Sequence, residues 1–194
     1  MWVVYNLNVF QFALPLAFGV LSPALPAGSV ASDATVAVCF APEDDCAAFA
    51  EHAIADAERE ILVSAYRLTV GSGIVGALIR AKERGVDVRV IADRSAPCGR
   101  GSGVEPLTAA GVPVWIDDRA RLAHAKTMVI DGAVTLQGSY NWTRGAAANS
   151  EDLNLISSPS VAAAYAGHWQ QRLAVSVPFN LREDWCRPPA AIAP

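Results

Sequence analysis

Short apolar runs rich in β-branched residues alternate with segments of helical periodicity along the first two thirds of the chain. Four of these runs predict strands, at residues 35–40, 61–66, 86–92 and 112–116. Residues 47–60 follow acidic capping residues, and Ile74, Val75, Leu78 and Ile79 recur at helical spacing before Gly85. This alternation predicts an α/β fold with parallel strands and right-handed crossovers.

The last third of the chain has a different pattern, because its predicted strands follow one another without a long helix between them. Residues 127–130 and 133–136 flank Asp131-Gly132, a dipeptide typical of a two-residue hairpin turn. A further strand is predicted at residues 151–156, and Ser158-Pro159 then begins a final helix. Together the elements predict a mixed, largely parallel β-sheet flanked by helices.

The hairpin turn also predicts which side chains share one face of the sheet. A two-residue turn would place Lys126 opposite Gln137 and His124 opposite Ser139. Because side chains alternate between the faces of a strand, four polar residues would project together: His124, Lys126, Ser139 and Asn141. Asp131 would lie at the turn, away from that face, which indicates an architectural role.

The four residues on this face suit attack on a phosphodiester. Such a reaction needs a nucleophile, an acid and positive charge near the anionic oxygens. A histidine can be the nucleophile and the acid, Lys126 would supply fixed charge, and Ser139 and Asn141 would supply hydrogen bonds. The pattern therefore predicts a phosphodiester-cleaving site with His124 as its reactive group.

The spacing HxKx4Dx6GSxN, which begins at His124, matches the HKD motif, and the chain resembles the phospholipase D superfamily. The resemblance extends from Val36 to about Leu173, through ILVSAYRLT, ALIRAKERGVDVRVIAD and YAGHWQQRL, and is strongest to small single-motif bacterial members. It implies a phospholipase D/nuclease-like fold, a phosphohistidine intermediate, no metal or other cofactor, and a structural role for Gly138. One departure is Leu122-Ala123, where the family usually has bulkier residues.

The single HKD motif supplies only one imidazole, whereas a phosphohistidine route needs a second group for proton transfer. His52 and His168 lie in predicted helices away from the motif, the first as an exposed residue and the second at the edge of the core. The resemblance therefore implies a homodimer in which two His124 side chains meet across a two-fold axis. Glu151 stands where these family members carry an acidic residue, and we expect it to orient His124 of its own chain or of the partner.

The predicted substrate is nucleic acid, because the compact single-motif members are nonspecific endonucleases, and the alternative is a phospholipase D acting on glycerophospholipid headgroups. Tyr66, Arg121 and Trp142 are candidates for substrate contacts, the last by stacking on a base or a headgroup. The alternative for Tyr66 and Trp142 is structural packing, and for Arg121 it is an ordinary solvated charge. The net charge of −4 is not that of a tight nucleic-acid binder. A local positive rim could nevertheless form from residues near the motif: Arg119, Arg121, Lys126 and Arg144. A binding module without activity is disfavoured, because the catalytic set is complete.

The length of 194 residues and the hydrophobic content of 53% predict one catalytic domain, which we assign to residues 32–176, followed by an irregular tail over residues 177–194. Residues 1–31 contain no charged side chain and include an apolar stretch. They predict a secretory signal that could be cleaved after Ala31, or an uncleaved N-terminal anchor. The protein is therefore expected to be exported, to the periplasm or beyond.

The four cysteines are expected to form disulfides in an exported protein. Four cysteines allow three pairings. Because Cys39 and Cys46 flank one short predicted loop, our hypothesis is that they pair and that Cys98 pairs with Cys186. A metal site is disfavoured, because the sequence contains no CxxC pair and no cluster of histidines and cysteines.

Overall fold

The computed structural model describes residues 4–6, 34–181 and 185–186. Its strands are β1 (Val4–Asn6), β2 (Thr35–Ala41), β3 (Glu60–Ala65), β4 (Asp87–Asp93), β5 (Val114–Asp117), β6 (Lys126–Ile130), β7 (Val134–Gly138), β8 (Glu151–Ser157) and β9 (Val177–Pro178). Its α-helices are α1 (Cys46–Ala55), α2 (Ile74–Glu83), α3 (Val104–Ala109) and α4 (Pro159–Leu173). Two 3₁₀ helices span Val70–Ser72 and Arg144–Ala148.

The described strands form one sheet in the order β1-β2-β8-β7-β6-β3-β4-β5-β9. Strands β3, β4 and β5 are parallel, and the other neighbouring pairs are antiparallel. The predicted mixed α/β sheet flanked by helices is therefore confirmed. Its description as largely parallel is wrong, because among the described strands only the β3–β4 and β4–β5 pairs are parallel, and β2 and β6–β9 join the sheet in antiparallel pairs.

The two faces of the sheet carry separate hydrophobic layers. Alternate residues of β3 divide between them, with Ile61 and Val63 facing the layer that contains α1, α2 and α3, and Leu62 facing α4. On the α4 face, Trp169 is 2% exposed and its indole nitrogen donates to the carbonyl oxygen of Val63 at 2.9 Å. The sheet is thus covered on both sides, as a parallel centre requires.

The predicted helix at residues 47–60 is wrong at its C-terminal end, since α1 ends at Ala55 and Glu60 already begins β3. The cause is a tertiary contact. The carboxylate of Asp131 accepts hydrogen bonds from the backbone N–H groups of Glu58, Arg59 and Glu60 at 2.7–2.9 Å. These amides are therefore bonded to the hairpin turn instead of to a preceding helical turn.

The hairpin between β6 and β7 has the predicted turn but a different register. Asp131 and Gly132 both have positive φ, 54° and 65°, as a primed two-residue turn requires. Ile130 nevertheless pairs with Val134, so the predicted opposition of Lys126 to Gln137 and of His124 to Ser139 is wrong.

The register shift has its origin at Ala133. The N–H group of Ala133 closes the turn by donating to Ile130 at 3.0 Å, but its carbonyl accepts from the N–H group of Ser158 at 2.9 Å. Because that carbonyl is bonded to the segment after β8, Ala133 is left as an extra residue between the turn and the ladder.

The chain termini and cysteines complete the fold. Both predicted disulfides form, Cys39 to Cys46 and Cys98 to Cys186, and the second joins residues 88 positions apart.

The tail, which was predicted to be irregular over residues 177–194, is not irregular at its start, because Val177–Pro178 pairs with β5 as β9. Of the predicted leader, Val4–Asn6 pairs with β2 and the rest lies outside the described residues. No helix among the described residues is both long and apolar enough to span a membrane.

Candidate active site

The site lies at the edge of the sheet where the parallel strands β3, β4 and β5 end, which we call the carboxyl edge. Strand β6 begins there and β7 ends there, because β6 is antiparallel to β3 and β7 is antiparallel to β6. Strand β8 begins at the same edge. The topology therefore gathers the loops that carry the HKD residues at one place, as is usual for sites in α/β sheets.

A cavity of about 520 Å³ opens at this edge, and all five predicted catalytic residues line it: His124, Lys126, Ser139, Asn141 and Glu151. Asp131 does not line it. The side-chain oxygen of Asn141 is buried and has no hydrogen-bond partner among the described residues. The cavity, which we call the first cavity, therefore combines a cation, hydrogen-bonding groups and an exposed imidazole.

The convergence depends on a second irregularity, which offsets the register shift of the hairpin. The N–H groups of Ser139 and Tyr140 both donate to the carbonyl oxygen of Asp152, at 3.0 and 3.2 Å. Two residues opposite one carbonyl form a bulge, which changes the direction of the side chains that follow. Gly138 is needed beside it, because a Cβ atom there would collide with the same carbonyl of Asp152.

His124 and Lys126 are in direct contact. The ammonium of Lys126 lies 2.8 Å from Nδ1 of His124 and donates to the carbonyl oxygen of His124 at 2.7 Å. The ring of Tyr66 lies against both residues, with its centroid 4.4 Å from that of the His124 ring and 5.2 Å from the ammonium. Tyr66 therefore forms one wall against the predicted nucleophile.

Lys126 is only 6% exposed, and its burial sets its electrostatics. Burial lowers the pKa of the Lys126 ammonium, and the carboxylate of Glu151 partly offsets this by raising it, so that the pKa stays below its ordinary value. A charge held in a partly desolvated position interacts more strongly with a phosphoryl oxygen than one in water does.

Glu151 is held by its neighbours within the chain. The hydroxyl of Ser139 donates to one oxygen of its carboxylate, and the amide of Asn149 donates to the other at 3.0 Å. The N–H group of Asp152 in turn donates to the hydroxyl oxygen of Ser139 at 3.0 Å. This network fixes the polar wall of the first cavity that faces Lys126.

The loop that carries His124 is anchored at both ends by two buried aspartates that the sequence analysis did not identify. Asp93, which is fully buried, accepts hydrogen bonds from the N–H group of Ala123 at 2.7 Å and from Ser95. Asp117 accepts from the N–H group of Arg119 at 3.2 Å. Acidic residues at the ends of the apolar runs VRVIAD and VWID were the available signal.

Asp117 also forms a two-pronged ion pair with Arg172 of α4, at 2.8 and 2.7 Å. Burial would raise the pKa of Asp117, but the hydrogen bond and charge of Arg172, with the N–H groups of Arg119 and Ala120, outweigh burial and hold it below its ordinary value. The ion pair therefore ties the start of the His124 loop to α4.

Three further predicted placements have different outcomes. Trp142 cannot stack on a substrate, because it is 0% exposed and its indole nitrogen donates to the carbonyl oxygen of Ser64 at 3.2 Å. Arg121 is exposed in the loop before His124. His168 is exposed, not part of the core edge, and it lines a second cavity that His124 also borders, so its predicted distance from the motif is wrong.

Asp131 lies at the opposite edge of the sheet, where it bonds to the backbone before β3. Burial would raise the pKa of its carboxyl group. The hydrogen bonds from the N–H groups of Glu58, Glu60 and Arg59 and the charge of Arg59 outweigh burial, so the pKa lies below its ordinary value. A lowered pKa means that the carboxylate stabilises the fold above its ordinary pKa. This stabilisation is lost as the pH falls through the lowered value.

We expect Asp131→Asn to lower the free energy of unfolding by about 1–2 kcal/mol at about pH 7, because three charge-assisted hydrogen bonds are weakened. Asparagine tolerates the positive φ of this position, so the change mainly removes the charge. The difference from the wild type should shrink in acid, which denaturant unfolding at several pH values measures. Glu83→Gln, at an exposed carboxylate, is the control. An Asp131→Asn protein of wild-type stability that has lost activity would place Asp131 in the chemistry instead.

No group of three or more histidine, cysteine, aspartate or glutamate side chains with the geometry of a metal site occurs within the described part of the chain. The positive charge that the described residues offer to an anion in the first cavity comes from Lys126.

Comparisons with known proteins agree with this geometry. Residues 51–173 match the family described as cardiolipin synthase, PLD-like domain. The chain is 36% identical over 146 residues to phospholipase D of Rickettsia prowazekii, covering 75% of this chain and 71% of that protein. It is 40% identical over 85 residues to mitochondrial cardiolipin hydrolase of Xenopus tropicalis, covering 44% of this chain and 40% of that one.

A solved structure is similar as well. Nuc from Salmonella typhimurium, a phospholipase D family member, matches with a TM-score of 0.71 and 29% identity, and the match covers 76% of this chain and 99% of that chain. The family match contains all five predicted catalytic residues that line the first cavity. The chain therefore belongs to the phospholipase D superfamily and is a phosphodiesterase.

Proposed function

We propose that the protein is a metal-independent, nonspecific endonuclease that hydrolyses DNA and RNA through a phosphohistidine at His124. The observation that carries this proposal is a set of exposed arginines at the carboxyl edge, where the first cavity opens, which we call the arginine rim: Arg67, Arg94, Arg100, Arg119, Arg121 and Arg144. Five of them lie in loops at the carboxyl edge, and Arg144 begins the 3₁₀ helix Arg144–Ala148, which follows β7 at the same edge. A polyanion that approaches this edge would therefore meet positive charge close to the catalytic cavity.

The arginine rim counts for more than the net charge of −4, because its six arginines outnumber the four exposed carboxylates of the loops at the same edge: Glu43, Asp44, Asp45 and Asp118. Asp93 and Asp117, which lie at the same edge, are buried and bonded to the protein itself, so they offset the rim little. An acidic chain can thus attract a nucleic-acid backbone locally while binding it weakly overall, which suits an enzyme that must release its product.

In the proposed mechanism, a ring nitrogen of His124 attacks phosphorus, and the bond from phosphorus to the leaving oxygen breaks. A proton from the partner's His124 goes to the leaving oxygen. That second imidazole then takes a proton from water, whose oxygen attacks phosphorus and breaks the phosphorus–nitrogen bond. Lys126 and Asn141 would hold the phosphoryl oxygens, and each proton-transfer role is worth about 10²- to 10⁴-fold in rate.

The homodimer belongs to this proposal because a chain offers only one imidazole in the first cavity. The exposed position of His124 at the surface of the carboxyl edge is compatible with a second copy facing it. In that arrangement the Glu151 carboxylate of either chain could support the cationic form of an imidazole. A two-fold axis through the site would make the two cavities one.

The second candidate is hydrolysis of glycerophospholipid headgroups, and the names of the relatives favour it. Phospholipase D of Rickettsia prowazekii and mitochondrial cardiolipin hydrolase of Xenopus tropicalis are both named for lipid substrates. The arginine rim would also attract an anionic lipid surface. Substrate choice therefore has to be measured directly.

We expect the protein to cleave plasmid DNA and RNA in the presence of a chelator, and to leave phosphatidylcholine and cardiolipin vesicles intact.

Raising the salt from about 50 to about 200 mM should lower kcat/KM on DNA by about ten-fold or more, because the rim contacts phosphates. Arg121→Gln should weaken this salt dependence, while Arg80→Gln on α2, outside the rim, should not. Headgroup release without cleavage of nucleic acid would reverse the order of the two candidates, and loss of all activity in chelator would overturn metal independence.

A further inference from the structure

A second cavity of about 310 Å³ lies on the α4 side of the His124 loop. Its walls include the buried Ile91 of β4 and the half-exposed Leu122 and Ala123 of the loop, and its polar end is formed by His168, Arg172 and Asp117. Leu122 is 51% exposed, so its side chain is open to a ligand that enters this cavity. The arrangement of an apolar cleft with a few polar groups at one end is typical of small-molecule sites.

The second cavity adjoins the catalytic centre at His124. His124 and Ala125 line both cavities, so the predicted nucleophile borders the polar first cavity and the second one. In an in-line attack the leaving group departs on the side of phosphorus opposite to the attacking nitrogen. The other ester group stays on phosphorus while phosphorus is bonded to His124, and the second cavity is a space that the same residue borders.

The chemistry of the second cavity favours an uncharged group that carries polar atoms. Asp117 neutralises Arg172, so a second phosphate would find no free cation there among the described lining residues. The guanidinium has five N–H donors, of which two bond to Asp117, and the others can reach an acceptor on a ligand. A volume of about 310 Å³ is at the lower end for ligand sites, so it suits one nucleoside and not a pair of long acyl chains.

We propose that the second cavity is the subsite for the nucleoside that remains esterified to phosphorus while His124 is phosphorylated. Leu122 and Ile91 contact its apolar surface, and His168 and Arg172 bond to polar atoms of its base or sugar. This assignment rests on the proposed action on nucleic acid. It adds a specificity subsite that belongs to the same chain as the attacking imidazole.

The test compares two kinds of ester with the same leaving group: the 3′- and 5′-(p-nitrophenyl) phosphates of thymidine, and methyl p-nitrophenyl phosphate. The measured quantity is the ratio of kcat/KM for the better thymidine ester to that for the methyl ester. Leu122→Ala and His168→Ala should each lower this ratio by about five- to ten-fold, since each removes contacts that only the nucleoside makes. Leu122→Met should restore it. The control is Val175→Ala, at a valine 41% exposed and outside the cavity, and it should keep the wild-type ratio.

A ratio within two-fold of wild type in both Leu122→Ala and His168→Ala would overturn the subsite. An equal fall on both kinds of ester would also overturn it, because these residues would then act through the position of His124. The proposed function is judged separately, by cleavage of DNA against lipid vesicles. DNA cleavage with an unchanged ratio would remove the subsite alone, and a lowered ratio in an enzyme that prefers vesicles would remove the nucleic-acid assignment alone.

Discussion

His124→Asn is expected to lower the hydrolysis of every phosphodiester substrate by about 10⁴-fold or more. The change removes the nucleophile and the acid together, because in the proposed homodimer both roles belong to copies of the same residue. The fold should be retained, since His124 is exposed and its described side-chain contacts are with Lys126 and Tyr66 at the cavity surface. Turnover of plasmid DNA and of a chromogenic diester measures the first effect, and thermal unfolding measures the second.

The matched control is His52→Asn, since His52 is an exposed histidine of α1 outside the first cavity. It should keep wild-type turnover. Brief reaction of the wild type, followed by a denaturing quench under alkaline conditions, should also leave a phosphorylated peptide that contains residue 124. Activity of His124→Asn within a few-fold of the wild type would reject His124 as the nucleophile.

Mixing wild-type chains with about a nine-fold excess of His124→Asn chains is expected to lower the activity per wild-type chain by about ten-fold. After complete subunit exchange, only about a tenth of the wild-type chains would still have a wild-type partner. The remaining wild-type chains would share a site that has a single imidazole. A tag on the variant chain and a pull-down confirm that exchange has occurred, and a parallel mixture with His52→Asn controls for dilution.

Unchanged activity per wild-type chain, with exchange demonstrated, would overturn the shared site and require a second acid within one chain. Glu151 would then be the first candidate, because it lines the first cavity. His168 would be the next, since it borders the second cavity together with His124. Glu151→Gln and His168→Ala would separate them, because only the variant of the true acid should lose the corresponding limb of the pH profile.

The inner strands of the sheet, β2 to β8, were predictable because burial leaves a local signal in the sequence. Residues 61–65 alternate between the two hydrophobic layers, and the predicted strand differs from β3 by one residue at each end. The C-terminal end of α1 was not predictable, because the segment after Ala55 is bonded to Asp131, more than 70 residues away. Helical periodicity carries no information about such a partner.

In the active site, too, some features could be predicted from local sequence and others depended on tertiary contacts. The residue types and spacing of His124, Lys126, Ser139 and Asn141 predicted that they would converge, and they line one cavity. The hairpin register from which this convergence was predicted is wrong, because the β6–β7 ladder is shifted by one residue at Ala133 and β7 ends in a bulge opposite Asp152. A bulge depends on which backbone groups of other strands are free to bond, and a single strand does not encode that.

The sequence by itself determined the family, the α/β alternation and the identity of the candidate reactive residues, because each of these follows from residue type and spacing. Only the tertiary structure decided that Trp142 is buried, that Asp93 and Asp117 anchor the His124 loop, and that His168 shares a cavity with His124. These facts depend on how α4 and the loops at the carboxyl edge pack over the sheet. Packing between distant segments is set by the free energy of the whole fold, and no local pattern of side chains records it.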